Sequence, residues 1–443
     1  MVGAPPTQLG RVGRRQGPPA HTEAVIRLED IGLAPTTQPA PEPTGPVMDG
    51  PPAPERGTVE ARTLWEVWRG RPVTVVSSPP GAGKSTLVVS LTRRLHEDAN
   101  LRVVVAVPTV VAAEELAQRI AEHMGSDQVV LYGTAFSRDV PGVQNAYTKA
   151  QREAFNGAGV VQIRTVESCR KSPPDVDVLI FDEAYQTTFG KAAAAAALAD
   201  QVLMVGDPGQ IGPVITSETT PWDRMRVAPH HRAPEVFALR DDAVSLHLPS
   251  TYRLGKASAA AVAPLYDFTF DSRRPDLSVA GVDELEAVEV APSDWVAAPH
   301  AMRAAVDRVE DLMGRTVTHQ GGRHDLDELD LCVVAPRNEQ ITALRGLLRE
   351  RDLGRVKVGT ADSLQGGQWA AVVAVDPFFG APSGSAHSRS LGRLCVMASR
   401  HFAHLSWVTS PDVRDTIKAV DMPRAERSAH LRVRRALAGG SAR

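Results

Sequence analysis

The stretch Ser77-Ser78-Pro79-Pro80-Gly81-Ala82-Gly83-Lys84-Ser85-Thr86 has the residue types of a phosphate cradle. It follows an apolar β-branched run, Val73 to Val76. It precedes an amphipathic run, Leu87 to Leu95. Strand, glycine loop and helix together aim backbone N–H groups and a helix N-terminus at nucleotide phosphates. Pro80, Gly81, Ala82, Gly83, Lys84, Ser85 and Thr86 are therefore the expected nucleotide-binding residues. Lys84 would reach the β- and γ-phosphates, and Ser85 would place its hydroxyl on Mg²⁺. Gly81 and Gly83 let the backbone approach without a Cβ in the way. The pattern G-x-x-x-x-G-K-[ST] is broken once, by Ser78 where glycine is usual.

About 100 residues later an apolar run, Asp177 to Phe181, leads straight into Asp182-Glu183. Phosphoryl transfer is mostly positioning and charge neutralisation. Asp182 is expected to hold Mg²⁺ through water, and Glu183 to orient and polarise the attacking water.

The elements that must carry these residues alternate in type. Leu101 to Val107 reads as a strand ending at Pro108-Thr109, with a helix over Ala112 to Met124. Val160 to Ile163 reads as a strand ending at Thr165. The alanine run Ala192 to Ala197 reads as helix. Gln201 to Val205 reads as a strand ending at Gly206-Asp207-Pro208-Gly209-Gln210. Such alternation predicts a parallel α/β sheet with functional residues at strand ends. A second α/β unit begins after Pro221. Its strands are Leu329 to Val334, Val356 to Val358, Ala371 to Val375 and Leu405 to Val408, with a helix over Asn338 to Arg349. A basic helical stretch, Arg424 to Leu437, closes the chain.

Length 443 allows two or more domains. Net charge is −3, so any nucleic-acid contact has to come from a local groove. The three cysteines lie far apart, which argues against a zinc or disulfide pattern and for a reducing, cytoplasmic setting. No apolar run reaches about 18 residues, so no membrane span is expected. Residues 1–57 hold twelve of the 34 prolines and read as a disordered tail, with Met48 as an alternative start.

In its order of motifs the chain resembles the superfamily 1 helicases, in the branch related to the nonsense-mediated-decay helicases, from about residue 72 to 408. Ser78 to Ser85 resembles the family's first motif, and Val107-Pro108-Thr109 the next, a single-strand contact. Thr165 matches the following one. Asp182-Glu183-Ala184 resembles the Walker B motif. Gly206 to Gln210 resembles the Gly-Asp-x-x-Gln coupling motif, whose glutamine senses the γ-phosphate. Thr251-Tyr252-Arg253 resembles a Gln-Tyr-Arg element. Ala335 to Gln340 resembles the segment that starts the second core sheet. Thr360 to Gln368 resembles the Asp-x-x-Gln-Gly-x-Glu motif, and Val396 to Arg400 the Ala-Leu-Thr-Arg motif.

The resemblance implies two tandem RecA-like P-loop NTPase domains with parallel sheets, at 58–225 and 226–420, then a basic helix or tail at 421–443. It implies ATP and Mg²⁺, with Glu183, Gln210, Arg253 and Arg400 catalytic, Ser85 and Asp182 at the metal, and Gly366 and Gln368 at the nucleotide. It implies strand contacts at Pro108, Thr109, Thr165 and Thr360 and 5′-to-3′ movement. The expected partner is single-stranded nucleic acid, DNA ahead of RNA. Arg253 and Arg400 would come from the second domain as fingers, since a planar, always-charged fork suits a phosphate. Gln368 replaces the usual ribose-contacting Glu, Ser399 replaces Thr, and His401-Phe402 replaces Ala-Lys. With no long insertion for a strand-splitting pin, a nucleotide-dependent switch acting on a protein partner is the alternative. Pro229-His230-His231 with Trp222 reads as structural, and Arg432, Arg434 and Arg435 as a solvated helix face.

Overall fold

The computed structural model describes residues 57–125, 127–133, 140–155, 159–222, 224–319, 322–381 and 384–439. The tail expected over 1–57, Met48 included, lies outside these residues except for Gly57.

The first sheet has eight strands: β1 (Val73–Ser77), β2 (Val103–Val107), β3 (Val129–Tyr132), β4 (Gln144–Ala146), β5 (Val161–Thr165), β6 (Val176–Phe181), β7 (Ala199–Gly206) and β8 (Ala243–His247). Their order is β4-β3-β5-β2-β6-β7-β1-β8, and every neighbouring pair is parallel. All C-terminal strand ends therefore share one edge, the edge where open α/β sheets hold ligands. β8 corrects the expected boundary at 225. It pairs with β1 from Val73↔Ala243 to Ser77↔His247, so the first sheet runs on to residue 247. The strand was hard to see because it is a half-exposed edge, Ala-Val-Ser-Leu-His, with only Leu246 buried.

The helix Val110–Met124 shows why these elements pack. Ala113, Leu116, Ala117, Ile120, Ala121 and Met124 are its buried residues, spaced as one helical stripe. That stripe joins Val105, Ile163 and Val178 of the strands, Leu91 of the phosphate-loop helix and Leu95 of the turn that continues it, in one core.

The chain continues through β9 (Ser250–Thr251), β10 (Asp271–Ser272), β11 (Ser278–Val279), β12 (Leu285–Glu289), β13 (Thr316–His319), β14 (Gly322–Asp325), β15 (Leu331–Val334), β16 (Lys357–Gly359), β17 (Trp369–Val375) and β18 (His401–Thr409). β12-β18-β17-β15-β16 form a second all-parallel sheet. β9 and β10 pair in parallel, and β11, β13 and β14 form a small antiparallel sheet. Alternate residues of the second sheet face opposite cores. Leu331, Val333, Ala371 and Val373 go to one, and Cys332, Val334, Val372 and Ala374 to the other. The helix Arg424–Leu437 spans the expected residues and sinks Val433 and Leu437 into the second of these cores. The fold is thus α/β with two tandem parallel sheets.

Candidate functional site: a phosphate loop faced by two buried arginines

The loop after β1 turns on two left-handed residues, Gly81 (φ +70°) and Gly83 (φ +84°), and Lys84 opens the helix Lys84–Arg93. Its first N–H groups have no intrahelical partner, so the helix presents an anion-binding end. Ser78 is fully buried, and both its N–H and its Oγ donate to the Gly206 carbonyl, at 2.9 and 3.1 Å. The hydroxyl thus ties the loop to β7, and the position does not need glycine.

Glu183 lies across from the loop, its Oε1 3.7 Å from Lys84 Nζ. Its backbone is left-handed (φ +50°), an uncommon state for a non-glycine residue that costs on the order of 1–3 kcal/mol. Asp182 Oδ1 accepts the Glu183 N–H at 2.9 Å. Burial, reinforced by the Glu183 charge and opposed by Lys84, pushes the Asp182 carboxyl well above the usual carboxylate range. A buried carboxylate this poorly compensated suits a divalent cation. Asp182 and Ser85 are the groups that would hold Mg²⁺, which neutralises phosphate charge when bound.

Asp207 and Gln210 follow β7. Asp207 Oδ2 accepts from Gln210 Nε2 at 2.7 Å, and Oδ1 from the Gly209 N–H at 2.9 Å. Arg232 braces the same loop from the first domain, donating to the carbonyls of Pro208 (2.6 Å) and Gln210 (2.9 Å).

Arg253 sits at the junction of the two sheets. Thr251 Oγ1 donates to the Pro80 carbonyl (2.7 Å) and the Tyr252 N–H to that of Gly81 (2.9 Å). The contact is so close that a Cβ on Gly81 would overlap the Arg253 Cβ. Arg400, just before β18, is 1% exposed. Its guanidinium makes only long bonds, to the Gly367 carbonyl (3.4 Å) and Ser399 Oγ (3.3 Å). The Nε atoms of both arginines are buried without a partner. Burial, then the charge of Arg400, brings Arg253 down to about 10; burial also lowers Arg400. Among the described residues neither forms an ion pair, so the two desolvated guanidinia suit an anion.

The remaining expected residues divide. Thr109 caps the helix after β2, accepting the Ala112 N–H at 3.2 Å. Thr165 is buried and caps Val166–Lys171 through the Ser168 N–H. Val107 and Thr165 are register partners, so Pro108, Thr109 and Thr165 share one stretch of the sheet edge. Thr360 follows β16 and exchanges bonds with Ser363. Gly366 (φ +90°) and Gln368 are exposed beyond it. His230 and His231 pack edge to face at 4.9 Å, and no group of three metal-binding side chains occurs among the described residues. Arg434 corrects the solvated-face reading. It binds the fully buried Asp376 with two nitrogens, at 2.7 and 2.9 Å. Sequence reasoning missed Tyr266, whose hydroxyl donates to Asp207 at 2.8 Å, and Arg232. Neither stands in a recognisable motif. An open groove of about 770 Å³ lies on the other side of Tyr266, bounded by Leu391 and Arg432.

Comparison with known proteins gives one family: the AAA domain, matching residues 63–236. Among solved structures, the PRRSV helicase is 15% identical over 81% of this chain and 57% of its own, with a TM-score of 0.42. The arterivirus nonstructural protein 10 (helicase) is 16% identical over 79% and 63%, with a TM-score of 0.46. Its complex with DNA gives 15%, 78%, 62% and 0.46. The chain therefore spans about three fifths of the length of these solved helicases. No curated protein matches it.

Proposed function

We propose that this P-loop chain, which resembles the superfamily 1 helicases, hydrolyses ATP between its two sheets and uses the cycle to move along single-stranded nucleic acid. The observation that carries the reading is the pair of buried, anion-seeking arginines, Arg253 and Arg400, beside a phosphate loop. In the reaction the loop N–H groups and Lys84 bind the phosphates, and Asp182 and Ser85 would hold Mg²⁺, which would supply charge neutralisation there. Glu183 polarises a water, Gln210 senses its target, and the water attacks the γ-phosphorus as the bond to the ADP oxygen breaks. Arg253 and Arg400 neutralise the charge that develops. With the γ-phosphate gone, the two guanidinia lose what holds the sheets together, and the cleft opens. A strand on Pro108 and Thr109 of one sheet and Thr360 of the other would shift with each cycle. The branch resemblance favours a 5′-to-3′ direction, and the reading takes DNA ahead of RNA as the strand. The reading sets the reaction in the cytoplasm, consistent with three free, buried cysteines; no described helix is long and apolar enough to cross a membrane.

Two variants test the site. Glu183→Gln should lower kcat by about 10²-fold or more while ATP still binds, because a general base or water-positioning group is worth that much. Arg400→Ala should lose hydrolysis and retain nucleotide binding. Wild-type kcat in Glu183→Gln would overturn the assignment.

One observation favours a second reading, a nucleotide switch on a protein partner: the hydroxyls of Thr109, Thr165 and Thr360 are all engaged in local capping. Hydrolysis that ignores nucleic acid would support it.

A further inference from the structure

Tyr266 packs against the second sheet's core cluster, yet its hydroxyl reaches the loop that follows β7. It stands on Phe268 and Phe270, with ring centroids 5.4 and 5.2 Å away. Its Oη donates to Asp207 Oδ1 at 2.8 Å and lies 3.3 Å from Cys395 Sγ. The one Tyr266 hydroxyl hydrogen is committed to Asp207, which leaves Oη to accept from the buried Cys395 thiol. Cys395 sits in the helix Leu391–Met397, five residues before Arg400. A Cβ on Gly209 would overlap the Tyr266 hydroxyl, and one on Gly392 would stand 2.7 Å from the Gln210 carbonyl oxygen. Two glycines, one from each side, therefore make room for this contact.

The chemistry of the contact is directional. An ionised carboxylate only accepts, so Asp207 fixes the Gln210 amide with Nε2 toward itself. The acceptor Oε1 is left on the other edge of the amide. Asp207 keeps that role only while it is held, and Tyr266 supplies a donor on Oδ1 from the other domain. Lys84, Arg253, Arg400 and Glu183 are the charged groups that act on the same carboxylate.

We propose that Tyr266 is a positioning residue: its bond to Asp207 orients Gln210, and its contact with Cys395 ties that loop to the helix leading to Arg400. The sensing loop and the arginine thereby move as one unit. This rests on the reading of Gln210 given above.

The test is Tyr266→Phe, which keeps the ring and removes the hydroxyl. Steady-state ATP hydrolysis should show kcat lowered about tenfold, from one lost bond to a charged group, with KM for ATP within about twofold. In a Gln210→Ala background the same change should cost nothing further, since both act through one amide. Asp207→Asn, which offers the amide a donor as well as an acceptor, should reproduce the kcat loss at unchanged KM. Unchanged kcat in Tyr266→Phe, or losses that multiply in the double variant, would overturn the proposal and leave the ATPase reading intact. A wild-type chain that does not hydrolyse ATP would overturn both.

Discussion

Position 78 shows how a motif departure is decided at the level of one residue. The loop needs glycine where φ is positive or where another backbone closes in, and Gly81 meets both conditions. Ser78 meets neither, and its hydroxyl binds the Gly206 carbonyl instead. Ser78→Gly should therefore leave KM for ATP within about threefold while losing roughly 1 kcal/mol of stability, readable by chemical denaturation. Gly81→Ala should abolish nucleotide binding in a titration with a fluorescent ATP analogue, because the Cβ would displace Arg253. The residues legible in the sequence were those in the loop and at strand ends, where type and spacing state the chemistry. Tyr266 and Arg232 were not legible, because what matters about them is which distant strand end they reach.

Among the elements, the C-terminal helix carries the clearest lesson. Its span was readable from periodicity, but its arginines read as solvent-facing because arginine usually is. Arg434 is instead anchored on Asp376, which also accepts the Trp407 indole N–H at 2.9 Å. Removing one partner of a buried pair strands the other. Arg434→Met should cost about 3–5 kcal/mol, and Asp376→Asn in the same chain should restore part of it, both read from unfolding curves. β18 and this helix also set the pH response. His404 and His430 are fully buried, and each is depressed to about 4. Burial is the main cause for both, with the Arg308 and Arg434 charges adding respectively. The unfolded chain binds these protons first, near pH 6.5, so stability should be full above that pH. It should fall as pH drops toward 4, by up to about 3 kcal/mol per histidine. Denaturation midpoints at pH 7 and pH 5 check this, and His404→Gln should shrink the difference while leaving the share that His430 contributes.

At the scale of the molecule, two parallel sheets were foreseeable from strands alternating with helices, and the order of motifs fixed which edge carries the chemistry. The seam between the sheets was less readable. β8 is a half-exposed edge without an apolar run, and Arg253 is held at the phosphate loop by the Thr251 hydroxyl and by the Tyr252 N–H, a backbone bond that leaves no mark on residue type. The account's central claim concerns that seam: a nucleotide bridges the loop to Arg253 and Arg400, and a single strand feels the bridge form and break. The measurement is steady-state ATP hydrolysis by the purified chain, alone and with single-stranded DNA or RNA, with Lys84→Ala as the blank. The account predicts hydrolysis that Lys84→Ala lacks and that single-stranded DNA stimulates severalfold; a rate indifferent to both polymers would contradict it.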